Sequence, residues 1–233
     1  MIKNFYPSSI VALAIIVLGL CIKSGIDNYA DKDRRVTVKG LSEIEVKADH
    51  VTWPIQTTEV GNSLPALYDK IALTRQTITK FLTDNGISES DISIVAPEVT
   101  DMNANQYSNN RPEYRYIISS GLTVSTADVE TVRNLVNRVG ELLKEGIAVT
   151  TGTYNTRITY DYVSFTDMKP KMMAEAIANA QTTAEQFAEN SHSRLNKIVS
   201  ADQGQFSISD RDDNTPYIKR VRVVTTITYS LKD

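Results

Sequence analysis

The chain has 233 residues, 41% of them hydrophobic and 23% charged, with a formal net charge of -3. These are ordinary globular values, with ample length for one sizeable core beside a short anchor. The acidic balance, with no Lys/Arg block beyond Arg34-Arg35, excludes nucleic acid as an expected partner, because phosphate binding wants a clustered positive surface. The single cysteine, Cys21, lies in an apolar run, so an intrachain disulfide and a cysteine-based zinc site are both excluded.

The N-terminus divides into a short tail (1–9), a transmembrane signal anchor (10–24) and a linker (25–34). Ile10, Val11, Leu13, Ile15, Ile16, Val17, Leu18, Leu20 and Ile22 supply the anchor's apolar surface. The uncharged stretch from Asn4 to Ile22 would reach about 28 Å as a helix, close to the ~30 Å hydrocarbon core of a bilayer. The strictly apolar part also suits the core of a cleaved signal peptide, which leaves secretion after cleavage as the alternative. Ser24-Gly25 and Tyr29-Ala30 offer small residues but no clean cleavage pattern, and Leu20 before Cys21 argues against lipidation. Lys23, Lys32, Arg34 and Arg35 follow the run and only Lys3 precedes it, so a literal positive-inside count puts the domain in the cytoplasm. Long domains, however, translocate largely regardless of flanking charge.

From residue 35 to 233 the pattern is that of one α+β domain. Val36-Thr37-Val38-Lys39-Gly40 and Ile44-Glu45-Val46-Lys47 alternate as a half-buried strand with a Gly-marked irregularity. After a turn at Ala48-Asp49-His50, the run from Val51 to Thr57 is a second strand, in which Pro54 predicts an edge or a bulge. Asn62-Ser63 caps a helix with Pro65 in its first turn, and Gly86 with Ile87 ends it. Strands follow over 92–100 and 114–124, joined by the Asn-rich hairpin loop 101–112. A second helix is predicted over 128–145, closed by Gly146 and Ile147 in the manner of the first. A strand marked by Ile158, Tyr160 and Tyr162 leads to a third helix over 169–190, whose inner face of small residues permits close approach to a sheet. Strands near 198–208 and 218–231 complete the order β-β-α-β-β-α-β-α-β-β. The expected architecture is a mixed, mainly antiparallel arrangement of sheet or sheets, with three helices packed on one face and one transmembrane helix in front.

Catalytic chemistry finds little purchase. His50 reads as a turn residue and His192 as a cap at a helix C-terminus. A triad of Ser191, His192 and some Asp has no nucleophile-elbow motif behind it. Asp210-Arg211-Asp212-Asp213-Asn214 is followed by Thr215-Pro216 and reads as a hairpin turn rather than a calcium loop. No phosphate-binding glycine loop is present, and no catalytic residue, metal ligand or cofactor is expected. Tyrosine, at 11 copies, is the unusual residue. Tyr114, Tyr116, Tyr160 and Tyr162 lie in or near strands; strand packing explains them first, and an interface is the functional reading.

Val36-Thr37-Val38-Lys39-Gly40, with Val46-Lys47-Ala48-Asp49-His50-Val51, resembles the first strand, glycine turn and second strand of the SIMPL-domain family. The helix Ala174-Glu175-Ala176-Ile177-Ala178-Asn179-Ala180-Gln181, continuing through Ala184-Glu185-Gln186-Phe187-Ala188, resembles that family's most distinctive segment, and Leu195-Asn196-Lys197-Ile198-Val199 its following strand. There are departures. The usual G-x-G is Gly40-Leu41-Ser42, the usual Pro before Asp is Ala48, and the usual Gly after the third helix is replaced near Ser191-His192-Ser193. The resemblance implies an exported bacterial protein of the periplasm or cell envelope, in some members tied to oxidative-stress defence and in some oligomeric. It favours a domain in the periplasm, held by a single-pass inner-membrane helix. It also favours a non-enzymatic role through self-association into a homo-oligomer, or through binding an unidentified protein. A small-ligand or peptide-binding module, with the loop 101–112 as a lid, and a hydrolase using His192 and a nearby Ser are the alternatives.

Overall fold

The computed structural model describes residues 5–30, 34–104, 113–150 and 156–232. Helix α1 (Phe5–Ala30) precedes strands β1 (Arg35–Lys47) and β2 (His50–Gly61), helix α2 (Leu64–Asp84), and the hairpin of β3 (Ile92–Asp101) and β4 (Tyr116–Thr126). Helices α3 (Val129–Asn137) and α4 (Gly140–Lys144), short strands β5 (Val149–Thr150) and β6 (Thr159–Asp161), and helix α5 (Lys169–Asn190) follow. The last three strands are β7 (Arg194–Gln203), β8 (Ser207–Asp210) and β9 (Ile218–Lys232). The chain forms two compact units, one of Met1–Ile44, Asp167–Ser207 and Val221–Asp233, the other of Glu45–Thr166 and Ile208–Arg220.

In the first unit, α5 lies on β1. Met172, Ala176, Ala180, Ala184 and Ala188 recur every fourth residue and form one buried stripe. Side chains this small let the helix backbone approach the strand. A Cβ added at Gly40 would fall 1.9 Å from the Ala176 carbonyl oxygen and 2.6 Å from the Ala180 nitrogen. Two hydrogen bonds flank the contact: Ser42 Oγ donates to Glu175 Oε2 (2.9 Å) and Asn179 Nδ2 to the Leu41 carbonyl (2.8 Å). Val38, Ile227 and Tyr229 close the cluster around Ala180 and Ala184. The sheet order is β1-β9-β7, with β8 also paired to β9. Helix α5 ends in a Schellman motif, with Ser193 N donating to Ala188 O (2.8 Å) and His192 N to Glu189 O (3.0 Å). His192 takes the left-handed conformation at φ 54° that Gly86 (96°) and Gly146 (84°) take after α2 and α4.

The second unit is a sheet of order β3-β4-β2-β5, with β6 also paired to β2. Val51, Trp53 and Ile55 alternate along β2 toward one face and meet Leu122 and Val124 of β4. Helices α2, α3 and α4 cover that face through Ile78, Leu82, Val132, Leu135 and Leu142. Tyr160 joins the same core, edge-on to Tyr217 with ring centroids 6.3 Å apart. Asp49, in the turn between β1 and β2, accepts hydrogen bonds from the backbone N–H groups of Val163 (2.7 Å) and Ser164 (2.9 Å).

Several expectations need correction. Every strand pairing with a determined register is antiparallel, so the sheets are not mixed. The helices do not share one face of one sheet: α5 packs on β1, and α2 with α3 and α4 on the β2–β4 face. The predicted helix 128–145 is two helices, because the chain turns at Arg138–Val139 and restarts at Gly140, a poor helix residue. Arg138 fixes that turn by donating to Asn85 Oδ1 (2.7 Å) and to Glu141 (2.8 and 2.9 Å). Helix α1 runs to Ala30, through most of the stretch read as linker. Strand β1 continues through Gly40, which marks the seat of α5 rather than a break. Pro54 is in an inner strand, opposite Thr123 of β4, and among the described residues no partner stands on its other side, between those paired with β6 (50–52) and with β5 (56–57). His50 opens β2 instead of sitting in a turn. Ser63 holds the N-cap position of α2 without a side-chain bond, while Asn62 accepts from Arg115 N (2.9 Å).

Two tests follow from these contacts. Gly40→Ala should lower the unfolding free energy by about 3 kcal/mol or abolish folding, because helix backbone rather than a yielding side chain occupies the space. His192→Val should cost about 1–2 kcal/mol and His192→Gly should be near neutral, both read from urea denaturation. A third test concerns acid. Burial raises the Asp49 carboxyl, but its hydrogen bonds to Val163 and Ser164 outweigh this and hold it below the usual range. Thr131 does the same for Asp128, and Thr215 with Arg211 brings Asp212 to about 2. A carboxylate depressed in the folded state stabilises fully above its unfolded value near 3.9, and loses that contribution as pH falls through the folded value. The urea midpoint should therefore drop between about pH 4 and about pH 2, less steeply in Asp49→Asn.

Candidate functional site

Packing leaves an open groove in the second unit between α2 and β3. Leu67, Ile71, Thr74, Ile78 and Leu82 are the buried ridge of α2, seated over β2 and β4. Strand β3 is next in the sheet and at its edge, and on its outer side no strand pairs with it among the described residues. Ile92, Ile94 and Val99 stand opposite Val124, Leu122 and Ile118 of β4, so they point to the helix-bearing face. Yet Ile94 is 63% exposed and Val99 50%.

Three depressions line up along this seam. One of about 440 Å³ is apolar and lies between Leu64, Pro65 and Tyr68 of α2 and Val99 and Ile118. The middle one, about 60 Å³, is a notch lined by Thr57, Ser120 and Arg75 beside Val95 and Pro97. The third, about 790 Å³, runs past Arg75, Thr79 and Lys80 to Glu89, Ile92 and Ile94. Arg75 thus lines two of the three. Its side chain is half-buried, and among the described residues it has no ion pair, hydrogen bond or ring contact. Lys70, one turn earlier, is by contrast neutralised by Glu59 at 2.5 Å. The buried Thr57 hydroxyl is 3.4 Å from the Ser120 carbonyl and 3.3 Å from Ser120 Oγ, both long for a hydroxyl hydrogen bond. The notch therefore holds an unneutralised cation and a weakly satisfied hydroxyl, the chemistry that receives an acceptor-rich anion such as a carboxylate.

The tyrosines picked from the sequence do not gather into one patch. Tyr116 pairs with Gly61 and Tyr160 with Val51, at opposite ends of β2, roughly 33 Å apart along the strand. Tyr160 is a core side chain, Tyr116 is half-buried with the Arg115 guanidinium 4.8 Å from its ring centroid, Tyr162 is half-buried, and Tyr114 is 42% exposed. The loop proposed as a lid falls outside the described residues over 105–112. His192 donates its backbone to the α5 cap, while Ser191 and Ser193 give their hydroxyls to carbonyl oxygens. A histidine–serine contact does occur elsewhere: His50 Nε2 is 2.9 Å from Ser125 Oγ, on an exposed part of the sheet and outside the α2–β3 groove. Asp210–Asn214 forms the turn between β8 and β9, where Asp212 accepts from the backbone of Asn214 (2.9 Å) and Thr215 (2.8 Å). No group of three or more metal-ligating side chains occurs among the described residues.

The nine aliphatic residues assigned to the anchor, Ile10 to Ile22, are each 52–67% exposed. No helix among the described residues is long and apolar enough to cross a membrane; the side chains described for α1 are those of 10–26.

Residues 36–229 match the family profile SIMPL, a protein of unknown function (DUF541). The chain belongs to the SIMPL family. No curated protein matches it. The matched span begins after α1 and includes the whole α2–β3 groove. Three residues set apart in the sequence have local roles in this SIMPL domain. Ser42 binds Glu175, Ala48 donates its N–H to the Tyr217 carbonyl (2.9 Å) as a proline could not, and His192 adopts the left-handed cap.

A residue kept for structure loses stability when truncated, and an unpaired half-buried cation does not. Arg75→Met keeps the apolar stem, and its thermal midpoint should match or exceed that of the wild type, with a gain of up to about 1 kcal/mol.

Proposed function

We propose that this SIMPL protein is a membrane-tethered, non-enzymatic component of the cell envelope. In this reading α1 is a single-pass inner-membrane anchor, the folded part lies on the periplasmic side, and the protein works by self-association or by binding a protein partner, in a stress-tolerance role. The observation that carries the reading is the state of α1. Its large aliphatic side chains point in all directions, and all are more than half exposed. Leaving such surface in water forgoes on the order of 10 kcal/mol of burial free energy. A helix apolar all round belongs in a large core or in lipid. At about 1.5 Å per residue, the uncharged stretch from Asn4 to Ile22 would reach about 28 Å, close to the ~30 Å hydrocarbon layer.

The edge strands support association. Strand β3 carries Ile94, Val95 and Val99 exposed, and β7 carries Ile198 and Val199 exposed. Exposed edges are templates for another chain. The periplasmic side rests on the family resemblance, against the Lys/Arg count.

The full chain should co-float with phospholipid vesicles and resist extraction by high salt. Ile16→Lys combined with Val17→Glu should release it to the soluble fraction. A reporter fused to the C-terminus should be active only in its periplasm-active form. A wild-type chain that stays at the bottom of the gradient, or a reporter active only in the cytoplasm, would overturn the tether or its orientation.

A further inference from the structure

We infer that the α2–β3 groove binds an extended polypeptide segment carrying a carboxylate, with Arg75 as the anchoring residue. The inference rests on the partner-binding reading above and names the partner's chemistry. Three independent features of the second unit converge on it.

The first is the open edge of β3, whose outer side pairs with no strand among the described residues. An added strand gains main-chain hydrogen bonds there, and presents every second side chain, roughly 6.8 Å apart, to the helix-bearing face. The second is the row of wells those side chains would meet. Apolar surface at Leu64, Tyr68 and Val99 lies on one side of the notch, and Ile92 and Ile94 lie on the other. The third is charge. Arg75 lines the notch with no partner among the described residues, beside the weakly satisfied hydroxyl of Thr57. Arg75 also lines the groove past Ile92 and Ile94, where a carboxylate on the added strand accepts from its guanidinium. The segment so defined has an acidic residue facing the groove, with apolar residues two positions to either side.

A free small anion fits this surface poorly, since it would leave Ile94 and Tyr68 in water and the β3 edge unpaired. A second copy pairing β3 with β3 about a two-fold axis fits poorly as well. The register of β3 shifts between Val95 and Glu98, and Pro97 has no N–H, so each copy would bring the same break into the shared ladder. A short foreign strand can pair alongside Ile92–Val95, where the register is regular.

The test uses the full chain in detergent micelles and fluorescence anisotropy of a labelled peptide, Lys-Thr-Val-Thr-Glu-Thr-Val-Thr-Lys, with empty micelles as blank. The same peptide with Gln in place of Glu is the control. The Glu peptide should bind about tenfold tighter than the Gln peptide, the worth of one charge-assisted pair. Arg75→Gln should erase that difference. Ile94→Lys, at a side chain too exposed to matter for folding, should weaken both peptides about tenfold. Equal affinity for the two peptides, an unchanged preference in Arg75→Gln, or full binding in Ile94→Lys would each overturn the inference. So would an Ile94→Lys chain that loses self-association while the wild type ignores both peptides, because β3 would then be a contact between copies. Vesicle flotation reads the tether separately: a chain that floats but binds neither peptide sinks this inference alone.

Discussion

The width of one helix against the width of one sheet governs the second unit. A helix with its side chains is about 10 Å across and strands lie about 4.8 Å apart, so one helix covers two strands. Helix α2 sets its ridge of Leu67, Ile71, Ile78 and Leu82 on β2 and β4, the inner pair. Strand β3 is then one strand too far. Its helix-facing residues Ile92, Ile94 and Val99 keep the alternation of a covered strand, but only Ile92 packs against the core, and Ile94 and Val99 have no cover. The groove, the notch and the freedom of Arg75 all descend from this mismatch, because a second helix over β3 would fill the first two and bury the third.

The first unit solves the same packing problem with different side chains. Helix α5 uses alanine where α2 uses leucine and isoleucine, so it can rest on strand backbone at Gly40. Close approach gains contact along the whole seam, but it leaves no free volume to absorb an added atom. It also lets short polar side chains reach across, and Ser42–Glu175 and Asn179–Leu41 are the result. A large-residue ridge stands farther off and tolerates a cavity, which is where the notch beside Arg75 lies.

Local chemistry was legible in the chain and long-range partnership was not. Gly86-Ile87 and Gly146-Ile147 could be read as helix ends, because positive φ and the apolar contact that follows are written in adjacent residues. The alternation along β2 and β4 and the alanine stripe of α5 were likewise visible, each being a period within one element. The division of the helices between two sheets was hidden, since nothing in a strand's own sequence names its neighbour. Pro54 misled for the same reason: it lies in an inner strand, with β4 on one side and the short β5 and β6 on the other, instead of at the sheet edge. The tyrosines scattered because half-buried strand positions favour them wherever they occur. Arg75 carried no signal at all. Helical spacing put it beside the buried face, but its distinction is a missing carboxylate, and only the packed structure reveals which charges stay unpaired.

An exposed edge endangers a protein unless something limits what can pair with it, and the edges at β3 and β7 carry such limits. Strand β3 has Pro97, a register shift and Glu98; β7 has two register shifts against β9 and Lys197 on its exposed side. These devices oppose long, flat, self-repeating ladders while leaving short regular stretches open. On the proposed membrane-tethered reading, that distinction matters. Confinement near a bilayer raises the effective concentration of any co-anchored partner, so weak contacts through a short edge become sufficient. The same confinement raises the risk that copies pair with each other. Under the proposed tether and groove binding, specificity at the edge would come from one charge, Arg75, which copies of its own β3 are poorly placed to satisfy. The interrupted edge and a guanidinium with no partner among the described residues would then be two parts of one device, the first excluding like strands and the second selecting unlike ones.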